Sequence, residues 1–197
     1  MGAFRHDHSL STKDLIWTIV AAIAFAIVLR LWFIGIYAIP SHSMENTLLP
    51  GDHIVVSKVI RWVGGLDRGD IVVFTLPDSL RGSTEDHPFI KRVIGLPGDT
   101  VYMSNQGITV NGVLLPDPPT SATKAPYTSG HETIIVPEGH LWVLGDNRAT
   151  SWDSRYWGYL PEDHIVGTPL FIYWSRGRTE AEQDVHTRWD RVLKVVH

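Results

Sequence analysis

The chain has 197 residues, a formal charge of −4 with histidines neutral, and no long Lys/Arg block, which argues against nucleic acid as its main partner. It contains no cysteine, excluding disulfides, thiolate catalysis and Cys-rich zinc sites. Once an apolar anchor is set aside, about 160 residues remain, enough for one sizeable core.

Residues 1–14 form a short N-terminal segment, too long and too mixed in charge for the basic start of a cleaved leader. From Leu15 to Ile39 the chain reads "LIWTIVAAIAFAIVLRLWFIGIYAI", with Arg30 its one charge. A helix of that length at ~1.5 Å per residue covers ~37 Å, against ~30 Å of bilayer hydrocarbon, so 15–39 is expected to be a transmembrane anchor. Arg30 is placed to carry its guanidinium to the far interface, and Trp17, Trp32 and Tyr37 suit interfacial belts. Arg5 and Lys13 favour an inside N-terminus, but Asp7 and Asp14 thin the bias.

The anchor gives way to "AIPSHSMENTLLPGD" (38–52), with Ser41 and Ser43 on either side of His42. Adjacent residues point to opposite faces of an extended segment, and lie ~100° apart on a helix, so His42 is poorly placed as a base for Ser43. Beyond it the chain alternates Val/Ile-rich segments with turn signals. "HIVVSKVI", "DIVVFTL", "FIKRVIG", "TVYM", "ITVNGVLL", "ETIIVP", "HLWVLGD" and "HIVGTPLFIYW" are separated by stretches such as "LPGD", "NQG" and "PEGH". The expected fold is therefore mostly β: an antiparallel, barrel-like body over 40–175 behind one N-terminal helix. Asn111–Gly112 is expected to return a hairpin. Residues 116–131 are too rich in proline for a strand interior and are expected to form a surface loop. In the charged tail, 176–197, the spacing of Val185, Trp189, Val192 and Val196 predicts a short amphipathic helix, on the body or on the membrane.

Two clusters carry chemistry. In "FIKRVIGLPGD", Lys91 and Arg92 stand side by side, and alternation sends one inward and the other to solvent. A lysine buried without a counter-charge loses its proton by desolvation and becomes a competent base for a serine. The other reading pairs Lys91 with a carboxylate at a strand edge. In "GDNRATSWDSRYWG" (145–158), Asp146 or Asp153 is expected to pair with Arg148 or Arg155 as a buttress, with Trp152 and Trp157 partly buried. The ten histidines form no metal pattern.

Together these blocks resemble bacterial type I signal peptidases, membrane-bound Ser–Lys serine proteases. "PSHSMENTLLPGD", "GDIVVF", "KRVIGLPGD" and "GDNRATSWDSRYWG" follow in family order and span most of the chain. The resemblance implies Ser43 as nucleophile, Lys91 as general base, Ser41 as an oxyanion-hole hydroxyl and Ser151 as the serine orienting the lysine amine. It also implies Asp153 with Arg155 as the supporting ion pair, and "VIRWVGG" (59–65), with Trp62, as a surface near lipid. It implies removal of signal peptides after an Ala-x-Ala pattern, with no cofactor or metal. The implied partners are exported preproteins, the phospholipid bilayer and a nearby secretion translocon. The implied location is the plasma membrane, with the N-terminus cytoplasmic and the catalytic body outside. Where family members often carry glycine and proline, this chain has His42 and Asn46. Two rivals are a processing peptidase for one class of exported subunit and a silent, tethered β protein that binds preproteins.

Overall fold

The computed structural model describes residues 11–45, 47–63, 65–81, 87–104, 107–116, 132–179 and 182–197. Asn46, the side chain of Trp62 and nearly all of the expected 116–131 loop lie outside the described residues.

Among its described residues the first unit of the chain holds one helix, α1 (Thr12–Trp32), with no buried residue. Its 21 residues are long and apolar enough to cross a membrane. The helix is shorter than the expected 15–39 anchor. It stops at Trp32, and Ile34–Ala38 is a strand, β1. Local chemistry permits the break, since Gly35 has poor helix propensity and Ile34, Ile36 and Tyr37 are β-formers, and pairing with the next strand of the sheet selects it.

The second unit, 35–197, is the β body. Its strands after β1 are β2 (Asp52–Ser57), β3 (Ile71–Phe74), β4 (Phe89–Gly95), β5 (Thr100–Ser104), β6 (Gly107–Val110), β7 (Val113–Leu114), β8 (Glu132–Ile135), β9 (His140–Leu144), β10 (Leu160–Pro161), β11 (Ile165–Thr179) and β12 (Glu182–Thr187). Each of the eight Val/Ile-rich segments contributes to a strand. The larger sheet runs β1-β2-β11-β3-β4-β9-β10, with β12 also on β11, and the smaller runs β7-β6-β5-β8. The strand pairings with a recorded register are antiparallel, so the mostly β, antiparallel body is the fold found.

β11 holds the larger sheet together by changing partners along its 15 residues. It pairs with β3 at Ile165–Gly167, with β2 at Thr168–Ser175 and with β12 from Arg176 on, with register shifts that let it bend. The curl buries both faces of the central strands. In β3, Ile71 and Val73 join one core cluster with Met44, Leu48 and Ile54, while Val72 and Phe74 join another with Val93 and Leu141. That explains why "IVVF" is an unbroken apolar run rather than an alternating one. A third cluster packs Ile94 and Trp142 of the larger sheet with Val101 and Ile108 of the smaller. There β6 turns into β7 through Asn111 (φ 52°) and Gly112 (φ 81°), the left-handed pair that a two-residue hairpin requires.

The tail departs from expectation. Among the described residues of 176–197 there is no α-helix: β11 runs on to Thr179, β12 follows, and Trp189–Arg191 is a single 3-10 turn. The helical spacing of the four apolar residues is coincidental, since Val185 and Trp189 are exposed and only Val196 enters the core. Buried ion pairs of Arg191 and backbone bonds to β11, rather than a packed apolar face, set the path.

Candidate active site

Ser41 and Ser43 lie on the loop between β1 and β2. The loop is closed at its base where Ile39 N–H donates to Asp52 O (2.8 Å) and Gly51 N–H to Ile39 O (2.9 Å). Gly51 has φ 86°, and a Cβ there would strike the Arg176 carbonyl, so only glycine fits. Within the loop, Leu48 N–H donates to Met44 O (2.8 Å), and both side chains are fully buried. Ser43 is thus carried by a turn anchored in the core.

β4 brings Lys91 to it. Lys91 lies opposite Val72 on β3 and shares a face with Phe89 and Val93. Its side chain, 3% exposed, donates from Nζ to Ser43 Oγ (2.9 Å) and to the Ile90 carbonyl (3.0 Å). Burial pushes the Lys91 pKa down from 10.5 to about 8, against the weaker upward pull of Asp153 and Asp146. Ser41 Oγ stands 3.2 Å from Ser43 Oγ. His42 turns away: its Nδ1 meets Glu45 Oε1 at 2.7 Å on the exposed side.

The late box folds back along β9 and fastens its end. Val143 N–H donates to Ser154 Oγ (3.0 Å) and Gly145 N–H to Asp153 Oδ2 (3.0 Å). Asp153, fully buried, accepts from Arg155 Nε (2.8 Å), one of the expected buttress pairs. Asn147 then clasps the serine loop, its backbone N–H donating to Ser43 O (3.0 Å) and its Nδ2 to His42 O (3.2 Å). Ser151 is buried nearby, but its hydroxyl takes no hydrogen-bond partner among the described residues. The contact expected between Ser151 and the lysine amine is therefore not made here, and the Ile90 carbonyl supplies the amine's second bond.

Asp146 does not pair within its own box. It takes both arms of Arg92, Nε at 2.8 Å and Nη2 at 2.7 Å, and the Thr47 hydroxyl at 2.6 Å. Arg92 lies opposite Leu144, so Asp146, two residues on, sits at the diagonal position of the same face. Sequence reasoning missed Arg92, Thr47, Asn147 and Gly145; the "KR" pair in β4 and the glycine opening "GDN" were the available signals. A Cβ on Gly145 would collide with Ser151 Oγ and the Ser43 carbonyl.

The groups open on a cleft of about 520 Å³, lined also by Phe89, Trp152, Asn147 and Thr150. A serine hydroxyl bonded to a desolvated amine, with a second hydroxyl beside it, is equipped for acyl transfer. The family model described as "Signal peptidase, peptidase S26" matches residues 12–174. The chain belongs to that family. This S26 serine peptidase is 38% identical to probable signal peptidase I-2 of Synechocystis sp. over 80% of its own length and 71% of the relative's. It is 35% identical to signal peptidase I T of Bacillus subtilis, over 79% and 81% of the two chains. A solved signal peptidase I from Enterococcus faecalis is 32% identical, covering 54% of this peptidase and 97% of the solved chain, with a TM-score of 0.43.

Proposed function

We propose that this peptidase removes signal peptides from exported preproteins through a Ser43–Lys91 dyad. The observation that carries the reading is the 2.9 Å contact between Lys91 Nζ and Ser43 Oγ at a lysine pushed down to about 8. With the amine neutral, Ser43 O–H donates to its lone pair while an N–H of Nζ stays on the Ile90 carbonyl. Ser43 Oγ attacks the scissile carbonyl as its proton passes to Nζ. The oxyanion is met by the Ser41 hydroxyl and the Ser43 backbone N–H. Collapse expels the new amine terminus, which takes the proton from Lys91, and leaves an ester on Ser43. Water then attacks the ester, giving its proton to Lys91, and Ser43 recovers one as it leaves.

Ser151 enters the reading as a hydroxyl that orients Lys91 once Ser43 is esterified and can no longer do so. Its burial without a partner supports this, because an unbonded buried hydroxyl gains on finding one. The cleft, lined by Phe89 and Trp152, lies at Ser43 and Lys91, where the side chains of an Ala-x-Ala pattern would be read, and α1 suits a membrane anchor. The substrate would then arrive from the bilayer near the translocon, with the body outside the cell and the N-terminus inside.

Cleavage of a labelled preprotein in detergent, from pH 5 to 10, tests the reading. Wild type is expected to give one cut after Ala-x-Ala, with a rate rising through about pH 8, while Ser43→Ala and Lys91→Ala are inert. Robust cutting by either variant would remove the dyad. Binding without cutting by folded wild type would point to the silent binder instead.

A further inference from the structure

The family match ends at residue 174, yet the chain beyond it folds back onto the serine loop. Arg191, 7% exposed, donates from Nη2 to Asp52 Oδ2 (2.6 Å) and to the Thr47 carbonyl (2.9 Å), and from Nε to Asp52 Oδ1 (3.2 Å). Arg188 donates from Nη2 to the carbonyls of Pro50 and Arg176 (2.7 Å each) and from Nε to Ser175 Oγ (2.8 Å). Ser175 in turn donates to Asp52 Oδ1 (2.6 Å), and Leu49 N–H to Asp52 Oδ2 (2.8 Å).

These bonds meet on one short segment. Thr47 has its carbonyl on Arg191 and its hydroxyl on Asp146, and the turn from Met44 to Leu48 ties it to Ser43. Val196 packs in the same core cluster as Met44 and Leu48. Backbone bonds seat the tail on β11, from Leu193 N–H to Ile172 O (2.7 Å) and from Ile172 N–H to Lys194 O (2.9 Å). A buried Arg–Asp pair alone is weak evidence of a stabilising role, because desolvation offsets much of its attraction. What needs the guanidinium fork is the third bond: one planar group spans a carboxylate and a loop carbonyl, which a lysine's single ammonium cannot reproduce in that geometry.

We propose that Arg191, assisted by Arg188, is a positioning residue for catalysis, holding the Thr47–Asp52 segment so that Ser43 Oγ stays within reach of Lys91 Nζ. The segment past residue 174 thereby belongs to the catalytic apparatus. The inference rests on the reading of Ser43 as nucleophile.

The test measures kcat and KM on the full chain in detergent, with kcat referred to the folded fraction from circular dichroism melts. The variants are Arg191→Lys, Arg191→Gln, Arg188→Lys and Ser43→Ala, with Lys194→Gln as control. Lys194 bonds β11 through its backbone and has an exposed side chain, so its variant is expected to match wild type. Both Arg191 variants are expected to lose kcat about tenfold or more with KM little changed, because a small misplacement of the nucleophile acts on the chemical step. Arg191→Lys with wild-type kcat, whatever its melting temperature, would make the segment a structural brace only and overturn the inference. Should the Arg191 variants not fold, Arg188→Lys decides, and an unchanged kcat there overturns it. If Ser43→Ala cuts like wild type, it is the dyad reading that has failed; if it is inert while the Arg191 variants keep their kcat, only the present inference has.

Discussion

At the residue scale, Lys91 is where fold stability and chemistry conflict. The fold holds its pKa at about 8 against an ordinary 10.5, chiefly by burial, so below pH 8 a charged amine sits desolvated in the native state. Between pH 8 and 10.5 the unfolded chain binds the extra proton, and stability rises with pH across that window. The cost below it is on the order of 3 kcal/mol. Lys91→Met, close in length and uncharged, is therefore expected to be more stable than wild type at pH 7 by up to about 3 kcal/mol, the gap closing by pH 10.5. Denaturant unfolding at the two pH values checks this, and equal gaps at both would mean burial is not what shifts the lysine. Asp146 and Asp153 keep their arginine partners in the variant, so removing the amine strands neither carboxylate.

At the element scale, β4 is the strand that organises the site. Alternation sends Lys91 inward to the Ser43 side, as expected, but Arg92 on the opposite face meets Asp146 rather than solvent. Neither side is open solvent, because the sheet curls and covers both, and Arg92 finds a fully buried carboxylate. The end of β9 is the second critical element. Gly145 lies where the backbone passes between Ser151 and the Ser43 carbonyl, with no room for a methyl group. Gly145→Ala is expected to displace the serine loop and to lower kcat about a hundredfold. A cleavage assay beside a melting curve separates this from unfolding; an unchanged kcat would show that the loop can yield.

At the scale of the whole body, the two sheets are joined by Asp99. Its carboxylate accepts two bonds of 2.6 Å from Arg68, ahead of β3, and others from Leu96 N–H (2.9 Å) and from Asn111 Nδ2 (2.8 Å) in the β6–β7 hairpin. Arg68 and the neighbouring donors outweigh burial and hold its pKa down at about 2, from an ordinary 3.8. The stabilisation is fully present above pH 3.8 and is lost as pH falls through 2. Melting temperatures from pH 5 to 2 are expected to fall more steeply for wild type than for Asp99→Asn, which starts lower; parallel curves would remove Asp99 as the joint.

The sequence by itself determined the features that depend on near neighbours. Val/Ile runs between Gly- and Pro-rich turns mark strands because β-branched side chains and turn glycines act within a few residues, and Asn111–Gly112 marks its hairpin for the same reason. The blocks around Ser43, Lys91 and Asp153 were legible too, because their residue types are unusual where they stand. Only the tertiary structure decided which charges meet. Arg92 pairs with Asp146 across 54 residues and Arg191 with Asp52 across 139, distances over which no local pattern reports. It also decided that β1 is strand rather than the end of the anchor, and that the tail is strand and turn rather than helix. In both places an apolar or helical spacing was compatible with two structures, and hydrogen bonds to a distant part of the sheet selected one.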